Sequence, residues 1–479
     1  MAIKGFVRSG EAATSVIHTL DEAQQKVLAL PDGVSAVVIG APGTGKTTTL
    51  MELLADRVLG RGYAPESVLA LTSSRATATR LRDAIALRLA VPTNGPLART
   101  VNSLAFEIVG NAARDEDVPM PTLVTGSEQD FDIAQLLQGQ LDDGIGPDWP
   151  QLLGPQVRRL RGFRTELREL MGRATEYGIT PARLRELGAQ HDRPEWQAAA
   201  DFIAEYLAVI SSSRPHQFDS TELVQFAVAA IARDQAGSAV DRVRLVVVDD
   251  LQEATRSTIA LLAALAARGV AIVAFGDPDV AANAFRGGEP DALARFGRLI
   301  GVPQLPTITL GTAHRQGPEL RAFTRRITER IGTAGVFGQR EASSIATDES
   351  RPVLRILAES PAREWAAIAR QLRERHLIDG IAWRDMVVVA RSGGQVPIIA
   401  RALALAEVPT RTAVGGRALR DDHSARSLLT LVDVGIGRTP LDAQLASELL
   451  LGPFGALDRL ALRRLRLALR AEELAGGGN

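Results

Sequence analysis

The sequence predicts an α/β protein of parallel sheets with helices on both faces, interrupted by an all-helical insertion. Short apolar runs carry the first part of that prediction: Ala36-Val37-Val38-Ile39, Val68-Leu69-Ala70-Leu71, Leu245–Val248 and Ala271–Phe275 alternate with stretches of helical periodicity. The second observation is the segment Gly40-Ala41-Pro42-Gly43-Thr44-Gly45-Lys46-Thr47, which follows the first run and leads directly into Thr48–Leu54. A buried strand, a glycine-rich turn and a helix start thus occur in succession, the context a phosphate-binding loop requires. Third, residues 112–238 hold no strong strand run, only amphipathic stretches broken at Gly144–Pro155 and Gly178–Pro181.

The elements follow in order. Asp21 or Thr19 can cap a short helix running through Val27 and Leu28. Gly40–Thr47 is the loop: its glycines let the backbone wrap so that N–H groups point inward, and the helix start adds partial positive charge for an anion. Lys46 is placed to reach the β- and γ-phosphates and the Thr47 hydroxyl to ligate Mg²⁺, so the predicted ligand is a nucleoside triphosphate. Ser67–Thr72 is a second strand, Ser73-Ser74-Arg75 its turn, Ala76–Leu89 a helix, and Arg99–Phe106 opens another helix. Arg158, Arg159, Arg161, Arg164, Arg168 and Arg173 then crowd one helical region, either as a solvated face with Glu partners or as a phosphate-contacting face. Arg244–Asp250 and Val270–Asp277 are strands ending in acids, as central strands do where their C-terminal ends face a ligand. Beyond Pro303, Val353–Leu357 and Met386–Ala390 are expected as strands around a helix at Arg363–His376, and Ala456–Leu474 as a Leu/Arg-rich helix. This second βαβ pattern has only begun, so the chain is expected to be part of something longer.

At 479 residues the chain has room for about three domains. A net charge of −1 excludes a global basic field, so any nucleic-acid site must be a local patch. The chain has no cysteine, which excludes disulfides and thiolate metal sites. No apolar run is long enough to span a membrane and no signal-like segment opens the chain, so a cytoplasmic location is expected.

Asp249 ends a buried strand far downstream of Lys46; in a phosphate-loop fold such an Asp holds Mg²⁺ through water and the next acid polarises the attacking water. The order Gln24, loop, Ser/Thr-rich turn, inserted helices, Asp249-Asp250-Leu251-Gln252, then Gly276-Asp277-Pro278-Asp279 resembles the superfamily 1A helicases, the UvrD/Rep/PcrA group. Leu20–Gln24 matches that family's Q motif, Leu69–Ile85 with Thr72 and Ser73 its motif Ia, and Thr100–Leu104 with Asn102 its motif Ib. Val247–Gln252 matches motif II, Gly276 through Gly287 motif III, and Leu310–Gln316 motif IV; Ile381–Ser392 is similar to the start of its second motor domain.

The resemblance implies two RecA-like motor domains: 1–111 and 239–302 as 1A, 112–238 as helical 1B, 303–445 as an incomplete 2A, and 446–479 as the start of 2B. It implies ATP and Mg²⁺, with Gln24 reading the adenine edge, His314 stacking on it, and Gly40, Ala41, Pro42, Gly43, Thr44, Gly45, Lys46, Thr47 and Thr48 holding the nucleotide. Lys46 and the arginine finger Arg315 would stabilise the γ-phosphate, Thr47 and Asp249 would hold the metal, Asp250 would orient water, and Gln252 would couple nucleotide state to DNA. Thr72, Ser73, Asn102 and Phe285 fall at DNA-contacting positions. The implied activity is 3′-to-5′ translocation on single-stranded DNA and unwinding, in repair or recombination.

The departures point elsewhere. The family has Glu where Asp250 stands, and the shorter side chain retracts the carboxylate from its water, which must lie within about 2.6–3.2 Å. Val280 replaces a γ-phosphate-sensing Gln, and Ser73 and Asn283 replace two stacking aromatics, each worth about 1–3 kcal/mol per base. Motifs V and VI have no counterpart here. A motor with such motifs looks like the A subunit of the actinobacterial AdnAB-type helicase–nucleases, which implies a second helicase–nuclease subunit as partner and a nuclease beyond this chain. The alternative to a motor is therefore a nucleotide-binding, weakly hydrolysing subunit that clamps DNA beside an active partner. A phosphate-loop kinase for a small molecule is a third reading.

Overall fold

In a computed structural model, residues 19–476 are described except 215, 283, 285–286, 333–334, 349–351 and 413–422. The chain divides into two compact units, 1–353 and 354–479.

The first unit is built on one six-stranded sheet, every pairing of which is parallel. Its strands are β1 (Ala36–Gly40), β2 (Val68–Thr72), β3 (Ala98–Thr100), β6 (Leu245–Val248), β7 (Ala271–Gly276) and β8 (Thr307–Leu310), in the order β3-β2-β6-β7-β1-β8. Val38 lies opposite Phe275 and Leu71 opposite Val248. The order brings β6 and β7 between β1 and β2, so the segments after β1, β2, β6 and β7 emerge side by side at the C-terminal edge. Ligands bind at that edge in open α/β sheets.

Alternation along the strands sorts the core into two layers. Val37, Ile39, Leu69, Leu71, Val246, Val248, Ile272 and Ala274 face one way, and Ala36, Val38, Val68, Ala70, Leu245, Val247, Val273 and Phe275 the other. The second layer is covered by α1 (Glu22–Leu28), α2 (Lys46–Ala55) and α3 (Arg75–Leu89) through Val27, Leu50, Leu53, Leu54, Leu81 and Ile85. Burying each such Leu or Ile contributes about 1.5–3 kcal/mol. The first layer is covered by α4 (Val101–Asp115), α10 (Ser220–Ala232), α12 (Arg256–Ala267) and α13 (Ala292–Leu299).

Between α4 and α10 the chain is helical, as the sequence predicts: α5 (Gly126–Asp143), α6 (Pro155–Arg158), α7 (Arg161–Glu176), α8 (Pro181–Gln190) and α9 (Pro194–Ser213). Ile133, Leu137, Leu167, Met171, Leu184, Phe202 and Tyr206 form its separate core. A two-residue parallel pair, β4 (Thr122–Leu123) with β5 (Gln217–Phe218), joins the entry and exit of this segment. It is too short to show as an apolar run. α10 packs on α4 and α12 in the sheet's own core, so the last helix before residue 238 belongs to the α/β layer. After α10 come α11 (Ser238–Asp241) and β6; after β8 come β9 (Thr312–Ala313), α14 (Pro318–Thr328) and β10 (Ser343–Ser344), which pairs with β9. β8 thus adds a strand beyond residue 302, because Val37–Gly40 offers a free edge to Thr307–Leu310.

The second unit contains α15 (Pro361–Leu377), α16 (Gln395–Leu405), α17 (His423–Gly435), α18 (Ala443–Leu451) and α19 (Arg459–Ala475). Ala369, Leu403 and Val408 form a small core beside Trp383, whose ring stacks on His376. The strands expected at Val353–Leu357 and Met386–Ala390 do not form among the described residues. Apolar, β-branched composition marks fitness for a half-buried pleated surface rather than a backbone preference, and among the described residues no strand pairs with either run. Leu357, Val387 and Val389 are accordingly 81%, 82% and 86% exposed.

Candidate functional site

The loop after β1 closes on itself through its own polar groups. Gly43 and Gly45 take positive φ, 86° and 81°, a conformation that disfavours any side chain. Space excludes one as well: a Cβ on Gly40 would lie 2.3 Å from Thr44 Oγ1, and one on Gly45 2.5 Å from Gln24 Nε2. Thr44 donates to the Ala41 carbonyl, and Lys46 Nζ donates to the Gly40 carbonyl at 2.7 Å and to that of Ala41 at 3.2 Å. Lys46, Thr47 and Thr48 form the first turn of α2, and Pro42 sits half-buried at the loop's bend.

The Q-motif helix packs directly on this loop. Asp21 caps α1 by accepting the Gln24 N–H at 2.9 Å, while Gln24 Oε1 accepts the Asp21 N–H, a reciprocal capping box. The other Asp21 oxygen lies 3.3 Å from His314 Nε2, and the His314 N–H donates to the Gly43 carbonyl. Gln24, Gly45 and His314 therefore meet. Arg315 follows with its Cβ beside Gly43 and, among the described residues, no carboxylate within ion-pair distance. The structure thus gathers Gln24, the loop, His314 and Arg315 around one opening.

The acids arrive from β6 and β7. Asp249 is buried at the end of β6, and Thr47 Oγ1 donates to its Oδ2 at 3.2 Å. Burial, then the neighbouring Asp250, push the Asp249 carboxyl up to about 6, against the pull of Thr47 and Lys46. Burial depresses the Lys46 ammonium, and Asp277, Asp250 and Asp249 oppose that shift. Asp250 sits in the left-handed region, φ 56° and ψ 52°, which an Asp tolerates better than most residues. The turn aims its carboxylate back over the chain, where Oδ1 accepts from Gln252 Nε2 at 3.1 Å. Gln252 is itself buried, and its Oε1 accepts the Asp277 N–H at 3.0 Å. One side chain thereby bridges motifs II and III.

A cationic relay continues from there. Asp277 accepts the Asp279 N–H, and Asp279 accepts from Arg340 Nε at 2.8 Å and Gln339 Nε2 at 3.0 Å. Arg321 on α14 donates to the carbonyls of Gln339, Arg340 and Ala342 and fixes that segment. Arg321, Gln339 and Arg340 carry no pattern in the sequence that would have singled them out. Val280 is 46% exposed, and its side chain has no polar atom to offer.

Thr72, Ser73 and Asn102 share a polar cleft of about 290 Å³ with Asp249, Asp250, Glu253, Glu176 and Ser257. Glu176, at the end of α7, accepts from the Ser257 N–H at 2.6 Å and from its hydroxyl, and Arg173 donates to the Ala284 carbonyl. Sequence reasoning missed both contacts between the helical segment and the sheet. Phe285, like Asn283, lies outside the described residues.

Hard oxygen donors, Thr47 and Asp249, stand together beside a second carboxylate, a set that suits Mg²⁺. Among the described residues no cluster of three or more His or acidic side chains forms an all-protein metal cage, and Mg²⁺ at phosphate sites does not need one.

Residues 20–300 match the model of the UvrD/REP helicase N-terminal domain. The chain belongs to that family. The family's fold is the one seen, a parallel α/β core flanked by helices. Among curated relatives, the ATP-dependent DNA helicase Rep of Salmonella typhimurium is 21% identical over 417 residues, 87% of this chain and 58% of the relative. The ATP-dependent DNA helicase UvrD2 of Mycobacterium bovis is 24% identical over 459 residues, 93% of this chain and 62% of the relative. The chain thus spans about three fifths of the relatives it matches. Among the described residues, no helix is long and apolar enough to cross a membrane.

Proposed function

We propose that this chain is the ATP-binding motor portion of a DNA helicase or translocase, cytoplasmic, acting in repair or recombination and moving 3′-to-5′ on single-stranded DNA. The observation that carries the proposal is the convergence of Gln24, Lys46, Thr47, Asp249, Asp250 and Arg315 at one sheet edge, joined by Gln252 to motif III. Loop N–H groups and Lys46 bind the phosphates, and Thr47 with Asp249 hold Mg²⁺. Bound there, the metal neutralises charge developing on the phosphates. Asp250 orients the attacking water, and Arg315 stabilises the transferring phosphoryl group. Gln252 passes the state of Asp250 to the backbone of motif III. Thr72, Ser73, Asn102 and Phe285 contact the strand. Residues 112–238 are taken as the 1B insertion of a 1A domain, with 2A and the start of 2B after it.

The clamp reading is favoured by one pair of observations. Asp250 is drawn into a hydrogen bond with Gln252, and Val280 presents no polar group toward the loop side of motif III. Both weaken hydrolysis without weakening nucleotide binding, and a second helicase–nuclease subunit would then supply the active motor. Asp250→Glu separates the two. The motor reading expects a small change in DNA-stimulated ATP turnover, and the clamp reading a sharp rise from a low base. Negligible turnover in both proteins, with no nucleotide binding, contradicts both.

A further inference from the structure

The arginine-rich stretch of the helical segment does not behave as one surface. Arg164 pairs with Asp130, with Nε and Nη2 both 3.3 Å from its carboxylate. Arg168 donates to the Gly126 carbonyl at 2.9 Å and Arg173 to that of Ala284. Arg158 is different. Its Nε is buried, and no acceptor meets it among the described residues. Burial alone lowers its pKa, and no carboxylate contributes to the shift. That one donor is withdrawn from water with no protein acceptor in its place, while the rest of the half-exposed guanidinium faces the solvent-filled space beside it.

Arg158 lines a cavity of about 630 Å³ between α5 and α6–α7, together with Arg159 and Arg164. That volume is typical of small-molecule sites. The opposite wall is one face of α5: Phe131, Gln135, Gln138 and Asp142 recur at helical spacing, with Ala134, Leu137 and Leu141 as an apolar floor. Phe131 is 56% exposed and has no aromatic partner among the described residues. Asp142, the one carboxylate in the lining, accepts from Gln138 Nε2 at 2.6 Å and so is engaged on its own helix. The cavity therefore offers guanidinium donors on one side, a free aromatic face on the other and amides between them.

We infer that this cavity binds a nucleotide unit, with its phosphate on Arg158 and Arg159 and its base against Phe131. Arginine forks match phosphate oxygens, and every base has a face that stacks on an aromatic ring. The same chemistry has two sources: a free mononucleotide, or one unstacked nucleotide of a strand. The second source rests on the DNA-motor reading above. The site is separate from the loop after β1, since no residue of that loop lines it.

The test uses the full chain with one equivalent of a non-hydrolysable ATP analogue, which occupies the loop site and leaves no excess nucleotide to compete for the cavity. Binding of a short 5′-phosphorylated, fluorescently labelled oligothymidylate is followed by anisotropy at several salt concentrations. Arg158→Ala is expected to weaken binding about tenfold or more, the loss of a charged hydrogen bond, and to reduce the salt slope by about one. Phe131→Ala, an exposed position that leaves folding intact, is expected to weaken it at least about fivefold through lost stacking. Arg161→Ala, in the same stretch but outside the cavity, is expected to bind as the parent does. Displacement by thymidine monophosphate assigns a free-nucleotide site, and displacement by unlabelled oligonucleotide alone assigns a strand site. Parental binding by both Arg158→Ala and Phe131→Ala overturns the inference, as does an equal loss in Arg161→Ala. ATP turnover recorded on the same proteins without the analogue reports the motor reading independently.

Discussion

Removing Asp279 or Arg340 singly should destabilise the first unit far more than removing both together. The pair is nearly sealed, with side chains 6% and 9% exposed, and Asp279 holds Arg340 by Nε at 2.8 Å. The same guanidinium donates to the Ile331 and Gly332 carbonyls at 3.3 Å, so it ties that segment and its own to motif III. Breaking a buried ion pair from one side typically costs about 3–5 kcal/mol because a charge is left unpaired. Asp279→Ala is therefore expected to cost about 3–4 kcal/mol, a large share of the 5–15 kcal/mol that holds a domain folded at about this size. Arg340→Met should cost a similar amount, since it strands the Asp279 carboxylate with only Gln339 to solvate it. Asp279→Leu with Arg340→Met removes both charges and should cost less than either single change. The assay is urea unfolding followed by far-UV circular dichroism, with slopes compared to confirm that one transition is being read. Additive losses in the double variant, or single losses below about 1 kcal/mol, would refute the reasoning, because an exposed pair behaves that way.

Gly45→Ala should abolish nucleotide binding while the protein still folds, since the new methyl would stand 2.5 Å from Gln24 at φ 81°; calorimetric titration with an ATP analogue reads it, and retained binding would contradict the packing. Gln252→Leu keeps the volume but leaves the buried Asp277 N–H without its acceptor, so stability should fall by about 1–3 kcal/mol and DNA should no longer stimulate turnover; thermal melting and ATPase assays together check this. Glu176→Gln weakens two hydrogen bonds to Ser257 and should increase amide exchange at the start of α12 while leaving the exchange of β1 unchanged.

Four strands of the sheet, β1, β2, β6 and β7, were legible because they are buried on both faces; the partly exposed β3, where the sequence suggested a helix opening at Arg99, and β8 were not. Val37–Ile39 or Val246–Val248 can be nothing but apolar, and the glycines of the loop answer to positive φ and to the closeness of Thr44 and Gln24. The second unit shows the limit of the same reasoning. Val387-Val388-Val389 reads as a strand, but a ladder belongs to two segments, and composition describes only one of them. The site was legible where chemistry follows strand ends, as at Asp249. It was hidden where tertiary structure supplies the partner: nothing near Arg340 announces Asp279, and nothing near Glu176 announces Ser257. The left-handed turn at Asp250 likewise follows from the β6 exit and not from local sequence, since no glycine marks it. In the arginine-rich stretch, spacing alone favoured a solvated face over a phosphate face without excluding the second, and what distinguishes Arg158 from Arg164 and Arg168 is a buried Nε that no acceptor meets among the described residues.

The most direct test of a nucleotide-driven DNA motor is steady-state ATP turnover of the longer protein containing this chain, with and without single-stranded DNA, beside Lys46→Ala. The account predicts Mg²⁺-dependent turnover that rises with DNA and disappears in the variant. Turnover indifferent to DNA, or unchanged by loss of Lys46, would contradict it.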